Sequence, residues 1–201
     1  MKYYKLTDHN NRTRGTLWGE NVTHKAKGKG NDLCSEDVIH VYDHPLKAAM
    51  FNANHANFNN PVLWECRVKR VVANDCLKVG VKECTTIKVI LLPEITTNQR
   101  VRFGIYCALE VYYDKEFIEW ADAWLSGVDR STDAAWAAAE VAEVAEVAWA
   151  AAWVAWAAAR AAEAAGAAEA AAWVAWAARA AARAAAIDLV PLIKKAIEEE
   201  L

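Results

Sequence analysis

Cys34, His40 and His44 stand in a C-x5-H-x3-H spacing that offers three potential metal ligands. Structural zinc sites use tighter cysteine pairs and four ligands, and His44 precedes a helix-starting Pro45. Packing and helix capping are therefore the expected roles of these residues, and neither a metal nor a cofactor is expected. Two kinds of ligand chemistry remain. Trp18 and Tyr42 could stack on a small nucleotide while Arg102 pairs with its phosphate and His40 lines the site. Alternatively, His40, Tyr42 and Glu65 could converge in a cleft between strands and act on a nucleotide as an enzyme. The Gly28-Lys29-Gly30 loop could touch a phosphate, although a short Lys-Gly loop is more often simply solvated. Cys66, Cys76 and Cys84 read as small apolar residues in strand-like context. No G-x-S-x-G, Walker loop, H-E-x-x-H or G-x-G-x-x-G is present, so no catalytic constellation rises above background.

The elements that must position these residues are mixed. Tyr3–Thr7 reads as a strand closed by the turn-rich 8–11, with further short strands at 16–18 and 38–42. Asp43-His44-Pro45 starts a short helix through Phe51. Alternation predicts strands at 63–68 and 85–91. Thr96-Thr97-Asn98-Gln99 is a capping box opening a helix to about Tyr112. A second helix, from about Lys115 to Ser126, carries Phe117, Trp120, Ala121 and Trp124 on one face and stops at Gly127. The fold class expected is α+β, with a small mixed domain at 1–130 and an alanine-rich helical assembly region at 131–201.

Composition sets that boundary. From Ala134 to Ala186, 33 of the 53 residues are alanine and six are tryptophan. Alanine is the best helix former, and disordered tracts are poor in aromatics, so ordered helix is expected. From Asp133 to Arg183 the larger side chains recur every three or four residues, a mean of about 3.3 against the helical 3.6. The stripe therefore drifts around the axis by roughly 27° per step, and one unbroken helix would be about 80 Å long. Gly166 lies between two copies of Trp-Val-Ala-Trp. An antiparallel fold there would set Trp156 level with Trp176, Trp153 with Arg179 and Trp149 with Arg183; a single continuous helix is the competing reading. Six tryptophans, Trp173 among them, on thin alanine helices predict a homo-oligomer held through this region. Asp188 and Pro191 then start a terminal helix with an apolar seam.

The chain carries a net charge of −3, which lacks the field for non-specific nucleic-acid binding. No apolar run is pure enough to span a bilayer, the first residues do not read as a signal peptide, and five cysteines without a C-x-x-C pair suit a reducing cytoplasm.

Several of these residues also carry a family likeness. Cys34-Ser35, Val38-Ile39-His40-Val41-Tyr42 and Pro45-Leu46, then Leu63-Trp64-Glu65, Lys78-Val79 and Thr85-Thr86-Ile87, resemble an N-terminal domain of unknown function in bacteriophage and prophage proteins, there followed by alanine-rich repeats. Val38-Ile39 departs from the glycine usual before the histidine. The resemblance implies a phage accessory protein in the cytoplasm of an infected bacterium. With no catalytic set, the leading expectation is a non-enzymatic protein that binds and neutralises or sequesters a host component, either a defence protein or an immune nucleotide signal. A nucleotide-acting enzyme and a helical spacer or virion component are the alternatives.

Overall fold

The computed structural model describes residues 2–33, 35–143, 149–161 and 166–199. The chain is α+β and divides into two compact units, residues 1–94 and 95–201. This division falls well before the 130/131 boundary expected from composition. The change of residue alphabet near Asp129 is therefore not the change of core.

In the first unit the strands are β1 (Tyr3–Thr7), β2 (Arg12–Thr13), β3 (Thr16–Leu17), β4 (Thr23–Lys25), β5 (Ile39–Val41), β6 (Val62–Asn74) and β7 (Val79–Ile90), with helix α1 (Pro45–His55). β6 and β7 form a long hairpin, to which β1 adds on one side. β4 and β5 both pair antiparallel with β7, the first at Glu83–Thr85 and the second at Val79–Val81. The hairpin turn is closed by Asp75, whose Oδ1 accepts from the Leu77 and Lys78 amides at 3.2 and 2.9 Å. Cys76 sits in that turn at φ 70°, so it is a turn residue and not the strand residue expected. Cys66 and Cys84 are buried in the strands with Trp18, Val41, Val79 and Val81. His44 caps α1, its Nδ1 accepting from Leu46 N at 3.2 Å, with Pro45 in the first turn.

The second unit is helical: α2 (Thr97–Leu109), α3 (Lys115–Ser126), α4 (Thr132–Glu143), α5 (Trp149–Ala161), α6 (Ala167–Ala185) and α7 (Leu189–Glu198). Val101 to Ala108 are buried without a break, which makes α2 the central helix, with α3, α5, α6 and α7 packed on it. The capping box is formed: Thr96 Oγ1 accepts from Gln99 N at 3.1 Å, and Thr96 N donates to Gln99 Oε1 at 2.9 Å. α3 buries Phe117, Trp120, Ala121 and Trp124 and ends at Gly127 with φ 79°. Alanine faces are flat and short, so α2 supplies the volume they lack through Val101 and Ile105, which pack among Ala151, Ala155 and Ala158.

The alanine-rich run is broken into side-by-side helices, not one long helix: α4 packs on α5, and α5 on α6. The hairpin pairing differs from the one expected about Gly166. Trp153 meets Trp176 with ring centroids 5.8 Å apart, and Trp156 meets Trp173 at 5.5 Å. Trp176 is thus shifted almost one helical turn from its expected partner. Gly166, right-handed at φ −85°, stands at the start of α6, and a side chain there would collide with the Arg160 carbonyl oxygen, so the glycine permits close approach to the end of α5. Glu146 and Glu163 of the repeat lie outside the described residues. Among the described residues, no helix is long and apolar enough to cross a membrane.

Candidate ligand-binding cleft

In the first unit a cleft of about 280 Å³ opens beside the sheet. Its floor is built from the middle of β1. Side chains alternate along a strand, and Tyr3 and Lys5 stand opposite Cys66 and Trp64 of β6, so Lys5 shares a face with the Cys66–Cys84 core. Lys5 is only 4% exposed. Its Nζ donates to the His40 carbonyl oxygen at 3.2 Å and lies 5.4 Å from the Trp18 ring centroid. Burial lowers its pKa to about 8; Cys84 and Cys66 pull it up, and Arg14 pushes it further down. None of these neighbours is a carboxylate, which is unusual for a buried lysine.

Trp18 is buried beside Lys5 and makes an edge contact with His24, with centroids 4.7 Å apart. Its indole Nε1 has no hydrogen-bond partner among the described residues. The rim is cationic. Arg14 and Gly15 form the two-residue loop between β2 and β3, both with positive φ, 47° and 78°. That is the geometry of a type I′ hairpin turn, and it places Arg14 at the tip. Lys27, just beyond the end of β4, completes the rim. Lys25, the last residue of β4, pairs with Glu83 at 3.8 Å. It stands opposite Glu83 and faces away from the Cys84 side that His24 and Lys5 share, so Lys5, Arg14 and Lys27 are the cationic side chains left to the cleft, with Glu36 as the carboxylate in its lining.

His40 also lines the cleft. Burial is the main cause that lowers its pKa, to about 4, helped by the charges of Lys78, Lys5 and Arg14. Its Nε2 is bonded to the Leu33 carbonyl oxygen. A carbonyl only accepts, so the neutral ring carries its proton on Nε2. Cys66 and Cys84 share a hydrogen bond just beneath Lys5: the bond and burial push the Cys66 thiol up, while the same bond lowers that of Cys84.

The structure brings together only part of the set expected from sequence. Trp18 and His40 meet in the cleft. Tyr42 is buried elsewhere, its hydroxyl 3.2 Å from His55 Nδ1. Glu65 faces the other side of β6 from Trp64 and pairs with Lys2 at 3.3 Å, so His40, Tyr42 and Glu65 do not converge. Arg102 belongs to the helical unit, where its Nη2 donates to the Leu125 carbonyl oxygen at 3.0 Å. The Gly28–Gly30 loop turns inward: Gly30 N donates to Asp37 Oδ1 at 3.0 Å, so that amide is already occupied. Cys34, the first of the three spaced ligands, lies outside the described residues, while His40 and His44 are engaged as described. Among the described residues, no three His, Cys, Asp or Glu side chains are grouped to hold a metal ion.

Sequence reasoning passed over Lys5, Arg14 and Lys27. Two signals were available, namely a lysine at the centre of the otherwise strand-forming Tyr3–Thr7 and an Arg-Gly pair between two threonines. In the helical unit, Trp149 and Trp176 are each nearly half exposed, and Trp153 lies between them, 5.9 Å from Trp149 and 5.8 Å from Trp176. Arg183 is exposed at the end of α6, and Arg179 is half-buried. Trp156 and Trp173 are partly covered within the unit. No protein-family model matches the chain, and neither does any curated protein or solved structure.

Proposed function

We propose that the protein is a non-enzymatic binding protein that sequesters a small phosphorylated host ligand in the β-unit cleft. The observation that carries this reading is the cationic cleft, in which the buried Lys5, with no carboxylate partner among the described residues, lies beneath Arg14 and Lys27. The rim cations Arg14 and Lys27 suit a phosphate. The volume lies just under the range of about 300–1,000 Å³ usual for ligand pockets, which favours a small body on that phosphate. Base stacking on Trp18 has little support, because Lys5 and His24 already occupy its surroundings. Capture of a host molecule inside an infected bacterium is the setting that the phage-like resemblance suggests.

Calorimetric titration with glycerol 3-phosphate, AMP and inorganic phosphate tests the reading. Binding is expected to weaken with added salt and to fall at least about tenfold when Arg14 and Lys27 are both changed to Ala. Absence of binding by every phosphorylated probe refutes it.

For the helical unit we infer self-association through the contiguous Trp149–Trp153–Trp176 patch. α2 and α4 already cover much of the alanine surface from within the chain, so the patch itself is what a second copy would bury.

A further inference from the structure

We propose that Lys5 is the nucleophile of a covalent carbonyl site, condensing with the aldehyde or ketone of a small ligand whose phosphate is held by Arg14 and Lys27. This rests on the cleft reading above and goes beyond it by assigning the ligand a second group. Three features of the floor fit an amine nucleophile. Lys5 is held on a strand paired with β6, so its backbone is fixed, and its Nζ is anchored to the His40 carbonyl oxygen. Trp18, Val38 and Ile39 supply the apolar part of the lining around it. Its surroundings disfavour the ammonium form, because it is buried and has Arg14 as a neighbouring cation. Desolvation and a nearby cation are the two devices that activate a lysine amine. With a pKa of about 8, roughly a tenth of Lys5 is neutral at pH 7, against well under a thousandth for an ordinary lysine. His40, kept uncharged, adds no second positive charge beside the amine.

The step balances without oxidant or reductant. The neutral amine attacks the carbonyl carbon, forming a C–N bond and opening C=O to a carbinolamine. The two amine protons leave with the carbinol oxygen as one water, and a C=N bond remains. The rim cations hold the phosphate away from the amine, so the two groups of the ligand are bound separately.

The test uses pyridoxal 5′-phosphate as a phosphorylated aldehyde and butanal as an uncharged one, each followed by borohydride reduction and peptide mass spectrometry of the full chain. Lys5 is expected to be trapped at least tenfold faster than exposed lysines such as Lys2 or Lys29, with a rate that rises with pH through about 8. Changing Arg14 and Lys27 to Ala should slow trapping of the phosphorylated aldehyde at least tenfold and leave butanal unaffected. Lys5→Arg should abolish the adduct, but mapping on the wild type decides the matter even if that buried variant folds poorly. Adducts spread evenly over the exposed lysines, or a Lys5 rate no higher than theirs, overturn the proposal. If glycerol 3-phosphate binds while Lys5 is not trapped, the covalent step fails and the cleft reading survives. If neither occurs, both fail.

Discussion

Replacing Gly104 with Ala tests how the alanine-rich helices are held on α2. Gly104 is buried at the crossing of α2 with α5 and α6. A Cβ there would lie 2.6 Å from Val154 Cγ2 and 3.3 Å from Val174 Cγ2. Carbon atoms pack at about 3.5–4.0 Å, so α2 would have to withdraw by about 1 Å. Valine cannot swing aside cheaply, because in a helix it has essentially one χ1 rotamer, and both valines are buried. Two effects oppose each other. Gly→Ala in a helix interior gains about 1 kcal/mol, while overpacking a core costs about 1–3 kcal/mol and here is applied at the central helix. Because two buried valines are met at once, the cost falls in the upper part of that range, about 2–3 kcal/mol, and the net loss of about 1–2 kcal/mol lowers Tm, for a unit of this size, by roughly 4–8 °C per kcal/mol. Urea unfolding of Gly104→Ala, Val154→Ala and the double variant measures it. With Val154 shortened the clash is relieved, so Gly104→Ala should then be neutral or stabilising by about 1 kcal/mol, giving a coupling of about 2 kcal/mol. A Gly104→Ala protein as stable as wild type refutes the close-approach argument.

Other outcomes are equally specific. Lys5 has its pKa lowered to about 8 from 10.5, so above pH 8 the unfolded chain holds the proton more tightly and stability rises with pH. From pH 8 to 9 the Lys5 contribution is a gain of about 1 kcal/mol, read by urea unfolding as the difference in pH slope between wild type and Lys5→Met; equal slopes would contradict the burial of Lys5. The buried Cys66 and Cys107 thiols, both raised above the ordinary 9.0, subtract from the gain in both proteins as pH approaches 9. Thr96→Ala removes the cap oxygen that accepts from Gln99 N and should cost about 1 kcal/mol, again by denaturant unfolding. Trp149→Ala with Trp176→Ala should leave helical circular dichroism unchanged and lower the mass seen by light scattering. A wild-type monomer at tens of micromolar argues against self-association.

Much of this architecture is local and was legible in the residues. The Thr96–Gln99 box, the Phe117/Trp120/Ala121/Trp124 face, the Gly127 stop and the Pro45 start each depend on contacts within a few positions of the chain. Alanine's local preference likewise made the helices of 134–143, 149–161 and 167–185 legible. Tertiary structure decided what those helices pack on. Alanine faces are nearly featureless in sequence, and only the fit of Gly104 against Val154 and Val174 assigns α2 to their core. It also set the hairpin register, which pairs Trp153 with Trp176 and Trp156 with Trp173. The cleft was least visible of all. Lys5, Arg14 and Lys27 come from separate strands and loops, and a lysine's burial follows from what folds over it, which no local pattern encodes.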